Sequence, residues 1–164
     1  MNTNDIFRLY RYNQWANAKL LDAAAKLSPE QQNQDLGGSF PTVRRVIAHL
    51  VVTEWAWLQR WCGVNPAAVP NWSDGEVPEL AAQLKDIEKD RAMFLNGLSD
   101  DALKTRIDYK YLSGNPGSGE VQDLLVHVVN HATYHRGQLA AMIRQLGNAP
   151  PSTDFVFFRA EEAS

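Results

Sequence analysis

One cysteine, Cys62, occurs in 164 residues, so no internal disulfide can form and the fold must be held by packing. A lone thiol also fits a reducing cytoplasm, where we expect the chain to reside. Positive charge is sparse and scattered. Sixteen Lys and Arg against nineteen Asp and Glu give a formal net charge of −3, and no basic cluster exceeds the pair Arg44-Arg45. That excludes the electrostatic footprint of a nucleic-acid binder. Long apolar runs are missing too, for none approaches the roughly 20 residues that span a bilayer. The polar, acidic start Met1-Asn2-Thr3-Asn4-Asp5 lacks the basic and apolar stretches of a signal peptide, so none is expected.

Hydrophobic residues make up 45% of the chain and charged residues 21%, with five Trp, the profile of a folded globular protein. A chain of this length buries a sufficient core without metals or disulfides. One domain is therefore expected over 1–164, and a bound metal would serve chemistry rather than stability.

Apolar positions Ile6, Leu9, Tyr10, Leu20, Leu21 and Ala24 recur at helical spacing until Ser28-Pro29 breaks the pattern. After a Gly-containing loop over 31–40, Pro41 suits a first helical turn with Ser39 as its cap. The run 42–61 is apolar nearly all round, as in a helix buried against several neighbours. Residues 62–77 hold Gly63, Pro66, Pro70 and Gly75, a connection long enough for a crossover. A third helix is expected from Pro78 to about Asn96, with Leu80, Leu84, Ile87, Arg91 and Phe94 on one side. Ile107, Tyr109 and Tyr111 then alternate with polar residues before Gly114-Asn115-Pro116-Gly117, which predicts a short strand or hairpin. The last long helix is expected from about Gly119 to Leu146, stopped by Gly147 and Pro150-Pro151. The apolar tail Asp154-Phe155-Val156-Phe157-Phe158-Arg159 is expected to pack back on the bundle. The fold class is all-α, four helices with a strand or hairpin insertion before the last.

Three of the four histidines, His127, His131 and His135, are spaced four apart in that last helix, so each lies one turn above the next. At about 100° per residue, with His131 at zero, the apolar stripe centres near +70°. His135 at about +40° lies inside it, His131 on its shoulder and His127 at about −40° on its polar edge. His131 and His135 are thus the inward pair. Buried imidazoles need partners, and two kinds serve: hydrogen bonds within the core, or a metal ion. His49, inside the buried second helix, is the one remaining histidine that can complete a set. The zincin pattern H-E-x-x-H is absent, since Ala132 follows His131, which excludes peptidase chemistry of that type. Three neutral ligands would leave an open coordination position, the catalytic rather than the closed structural arrangement.

The segment His127-Val128-Val129-Asn130-His131-Ala132-Thr133-Tyr134-His135-Arg136-Gly137-Gln138, followed by Asp154-Phe155-Val156-Phe157-Phe158, resembles the DinB family of the DinB/YfiT-like metalloenzymes. Tyr12-Asn13-Gln14-Trp15-Ala16-Asn17, Ser39-Phe40-Pro41-Thr42-Val43-Arg44 and Glu54-Trp55-Ala56-Trp57-Leu58 extend the likeness along the chain. The resemblance implies a four-helix bundle of up-down-down-up topology, often a homodimer. It implies a metal held by one histidine of the second helix and two of the last, here His49, His131 and His135, with His127 a companion outside the triad. Characterised relatives include transferases and isomerases using low-molecular-weight thiols, and others were proposed as hydrolases.

The expected function is accordingly that of a divalent-metal enzyme, with Zn, Ni or Fe as the ion, acting on a small-molecule substrate as a thiol S-transferase or a hydrolase. The competing expectation is a non-catalytic, metal-binding or stress-associated dimeric protein, motivated by the lack of an evident acid or base beside the triad. Gln138 faces the metal side one turn from His135 and is a candidate to orient it; Thr53 stands similarly to His49. Glu54 points about 140° from His49, against a role as base. Arg136, Trp15, Trp55 and Trp57 are candidates for an entrance without a catalytic role, and Cys62 is expected to be a bystander.

Overall fold

Three of the four long helices begin where a side chain can satisfy the free amides of the first turn. In the computed structural model, which describes residues 1–163, Asn2 and Asp5 form a reciprocal capping box at the start of α1 (Thr3–Ala25). Ser164, the last residue of the expected 1–164 domain, lies outside the described residues. Ser28 and Gln31 repeat the capping box for a one-turn helix, α2 (Pro29–Asn33), so the Ser28-Pro29 break also starts a helix. Thr42 caps α3 (Val43–Trp61), its hydroxyl accepting from the Arg45 amide at 3.1 Å. The expected cap at Ser39 is therefore displaced by three residues, because Thr42 holds the extended backbone that a cap requires. Helix α4 (Val77–Asn96) opens with Glu76 and Glu79 in a third capping box and stops at Gly97.

The strand expected around Tyr109 is β1 (Arg106–Lys110), which pairs antiparallel with β2 (Pro116–Glu120). Gly119 belongs to β2, so α5 (Val121–Gln145) starts two residues later than its periodicity predicts. Gly117 sits opposite Tyr109, and a Cβ there would come within 2.5 Å of the tyrosine ring. The glycine is thus required for the ring to lie across the hairpin. The tail forms a sixth helix, α6 (Phe155–Glu162), which departs from the expected burial. Only Phe158 is buried, against Tyr12 and Trp15, while Phe155, Val156 and Phe157 remain exposed, since a short helix on one neighbour hides one face.

Contacts between helices fix their directions. Tyr10 donates to the Leu125 carbonyl and Arg136 reaches Asn13 and Asn17, so α1 and α5 run parallel. His49 meets His131 and Trp57 meets His127, so α3 and α5 are antiparallel. Arg44 reaches the Asp74 carbonyl, Glu54 pairs with Arg91 and Trp61 stacks on Phe94, which makes α3 and α4 parallel. The result is an up-down-down-up four-helix bundle with neighbours in the order α1, α5, α3, α4. Parallel neighbours need a connection that returns along the bundle. Helix α3 is about 28 Å long at 1.5 Å per residue, and residues 62–76 are long enough to cover it.

Glu54, on α3, lies in the centre of the bundle and is buried. One carboxylate oxygen accepts from Asn13 at 2.5 Å and Asn17 at 3.4 Å, both on α1. The other pairs with Arg91 of α4. Arg136 of α5 donates to the same two asparagines at 2.6 and 2.8 Å, so the network includes all four long helices. Removing the carboxylate leaves a buried guanidinium and two buried amides short of partners. Glu54→Ala is expected to destabilise the fold by about 3–5 kcal/mol in urea denaturation, whereas Asp90→Ala, at an exposed site on α4, should change it by about 0.5 kcal/mol or less.

Candidate metal centre

Because α3 and α5 are antiparallel, their facing residues pair as one number rises and the other falls. His49 near the start of α3 therefore meets His131 and His135 in the second half of α5. One nitrogen from each ring lies within 4.8 Å of the other two. His49 Nε2 and His131 Nε2 are 3.2 Å apart, and the ring of His135 is 4.5 Å from each of the other two rings, centre to centre. His135 is buried, while His49 and His131 are half-buried.

The donor set fits a metal ion on three counts. Metal–imidazole bonds near 2.0–2.1 Å place tetrahedral nitrogen neighbours about 3.3 Å apart, close to the observed His49–His131 separation. Two imidazole nitrogens aimed at each other cannot both carry protons, so at least one lone pair is directed into the site. His135 is oriented for the same role by its neighbours. Gln138 donates from Nε2 to the Phe40 carbonyl at 3.5 Å, which turns its Oε1 toward His135 Nδ1, 3.1 Å away. An amide oxygen only accepts, so Nδ1 is the donor to Gln138 and Nε2 is the nitrogen left for a metal ion.

Phe40 thereby acts on two of the three rings. Its backbone carbonyl orients Gln138, and its side chain stacks on His49 at 4.2 Å with 23° between the planes. Nothing in the helical periodicity points to Phe40, which lies in a loop before the cap of α3. Its signal in the sequence is only that a large aromatic stands beside the turn leading to His49.

A cavity of about 410 Å³ reaches His49 and His131. Thr53, Trp57 and Arg60 line it from α3, His127 from α5, and Tyr111 from beyond β1. His127 is not one of the three converging rings. It packs edge-on against Trp57, 5.3 Å between centres, and is exposed. The larger cavity of about 540 Å³, along the hairpin, contains no histidine. Of the residues expected near an entrance, Trp57 is at the cavity, whereas Trp15 packs on α6 and Trp55 on Trp72. Arg136 is buried away from it among Asn13, Asn17 and Thr133, because one residue beyond His135 is a turn of about 100° into the core. Glu54 likewise faces the core network, and Cys62 is exposed at the end of α3.

The model of the DinB family matches residues 1–163. The chain belongs to the DinB family. Protein DinB of Bacillus subtilis (strain 168) is 33% identical over 164 residues, covering 91% of this chain and 90% of that protein. Among solved structures, YfiT from Bacillus subtilis, described as a probable metal-dependent hydrolase with an unusual four-helix bundle topology, superposes with a TM-score of 0.72 at 15% identity, over 91% of both chains. A DinB-like protein from Bacillus cereus ATCC 10987 gives 0.62 at 21% identity over 85% of this chain and 91% of that one. These structural likenesses show the four-helix-bundle fold. Among the described residues, no helix is long and apolar enough to cross a membrane.

Burial, and secondarily the neighbouring His135, pushes the pKa of His49 down to about 4, and burial with the surrounding imidazoles does the same to His131. Both rings are therefore neutral at physiological pH, the form a metal requires. Unfolded histidines titrate near 6.5, so between about 4 and 6.5 the unfolded chain binds more protons than the folded one. Metal-stripped protein should lose thermal stability as pH falls through that window and gain no further loss from these groups below it. His131→Gln should flatten the slope, as followed by melting temperature across pH.

Proposed function

We propose that this chain is a divalent-metal enzyme in which His49, His131 and His135 hold the ion and the adjoining cavity receives a small-molecule substrate. The observation that carries the reading is the convergence of three imidazoles from two antiparallel helices at the edge of an open cavity. A site closed on all sides would favour the non-catalytic alternative. The cavity instead reaches two of the three rings, which supports access by substrate.

A divalent ion held there supplies Lewis acidity and lowers the pKa of a water or small thiol at its open position. The chain's own residues determine what such a nucleophile meets. Gln138 and Phe40 keep His135 in one tautomer and His49 in one plane, so the ligand geometry is set before metal arrives. Trp57 and Val52 form an apolar wall that excludes water from one side of the cavity. Thr53 and His127 offer a hydroxyl and a ring nitrogen to a polar substrate group or a departing proton. Among the described residues no carboxylate lines this cavity, so the proton-accepting capacity comes from imidazole. The likeness to YfiT supports hydrolysis as one outcome, and a thiol nucleophile makes the same centre an S-transferase.

Metal content decides the site. Protein purified without chelators is expected to hold one divalent ion per chain, and His131→Ala or His49→Ala should lower the occupancy of the purified protein severalfold while preserving helical content. Gln138→Leu should keep the ion but weaken its affinity about 10–100-fold, the usual effect of losing a ligand's hydrogen-bond partner. Turnover of ester and alkyl-halide substrates with and without added thiol then separates the two reactions; metal-independent turnover would contradict the proposal.

A further inference from the structure

Arg60 lines the same cavity as His49 and His131, yet it is only 7% exposed and has no carboxylate within ion-pair distance among the described residues. Its Nε donates to the Lys110 carbonyl at 3.0 Å. Its guanidinium lies 4.8 Å from the centre of the Trp57 ring, with Tyr109 and Tyr111 at 5.9 and 6.0 Å. These contacts hold the group in place without neutralising it. Both Nη groups lack a hydrogen-bond partner among the described residues, and they are not among the fully enclosed unpaired atoms. Two N–H edges held at a cavity wall with no protein acceptor are free to meet an anionic group that enters the cavity.

Position along α3 gives the site a length. Arg60 is eleven residues after His49, a rotation of about 20° from it and a rise of about 16 Å. The two side chains share one face, and Thr53 and Trp57 lie between them on the cavity wall. Helical side chains lean toward the N-terminus, so the guanidinium is closer to the histidines than the backbone rise. One guanidinium carries one charge, and its planar fork matches the two oxygens of a carboxylate.

We propose that Arg60 anchors a carboxylate of an elongated small molecule whose reacting end lies at the three histidines. The assignment rests on the metal-enzyme reading above for the reacting end, and on Arg60 alone for the other. Its chemistry is recognition: the guanidinium binds the carboxylate and selects substrates or thiols that carry one at the far end of a chain.

The test uses the full-length protein loaded with Co(II), titrated with 8-mercaptooctanoate and with 8-mercaptooctan-1-ol, which differ only at the end that would meet Arg60. The expected result is about tenfold or tighter binding of the carboxylate, and loss of that preference in Arg60→Gln with affinity for the alcohol unchanged. The shorter pair 3-mercaptopropionate and 3-mercaptopropan-1-ol should show no such Arg60-dependent preference, because the chain does not reach. Equal binding of the long pair by wild type, or an equal loss of both ligands in a folded, Co(II)-replete Arg60→Gln protein, would overturn the proposal. Failure of the metal reading is seen separately as an absence of stoichiometric Co(II) binding and of a thiolate-to-cobalt absorption band with the alcohol. The same long pair, titrated calorimetrically into metal-stripped protein, then still decides Arg60 by the presence or absence of the carboxylate preference.

Discussion

A carboxylate with no access to water is normally a liability, because its charge loses hydration that only close, well-placed partners replace. Glu54 has those partners from two helices, Arg91 on one and Asn13 and Asn17 on another, and the asparagines pass the connection on to Arg136 of a third. Sliding any of the four helices by one turn, about 5.4 Å, would separate donors from acceptors across the core. The network therefore does more than offset a buried charge. It fixes the register between α3 and α5, and those two helices carry the three converging histidines, His49 on one and His131 and His135 on the other.

That register is what the histidines depend on. His135 lies one residue before Arg136, and His49 five residues before Glu54, so each of these two rings is tied through a short piece of rigid helix to a residue of the network. The loop before α3 adds a local constraint, with Phe40 stacked on His49 and bonded through its carbonyl to the amide that orients His135. The three rings are thus held from the core and from the loop. The cavity beside them is lined from the histidines through Thr53 and Trp57 to Arg60.

Much of this was legible in the residues. Helical wheels divided the histidine cluster into an inward pair and an outward companion, and the structure brings His131 and His135, not His127, together with His49. Periodicity reports the face of a helix well, which is why Arg91 could be read on the apolar side of its helix and Glu54 away from His49. It reports ends and loops poorly. The cap at Thr42, the helices α2 and α6 and the pairing of Ser118-Gly119-Glu120 into β2 depend on local hydrogen bonds or on a partner strand, not on a repeat. Arg60 had a signal that periodicity can carry, a cation three turns along the His49 face. Its meaning required the aromatic residues that surround it, two of which come from β1 and just beyond, far away in sequence.

The claim on which the functional reading rests is that the three rings share one ion. X-ray absorption at the metal edge of protein loaded with one equivalent of Zn(II) addresses it directly. The account predicts an inner coordination sphere of nitrogen and oxygen near 2.0–2.1 Å, with outer-shell scattering from three imidazoles that falls to two in His49→Ala. Sulfur in the inner sphere, or imidazole scattering unchanged by that substitution, would contradict it.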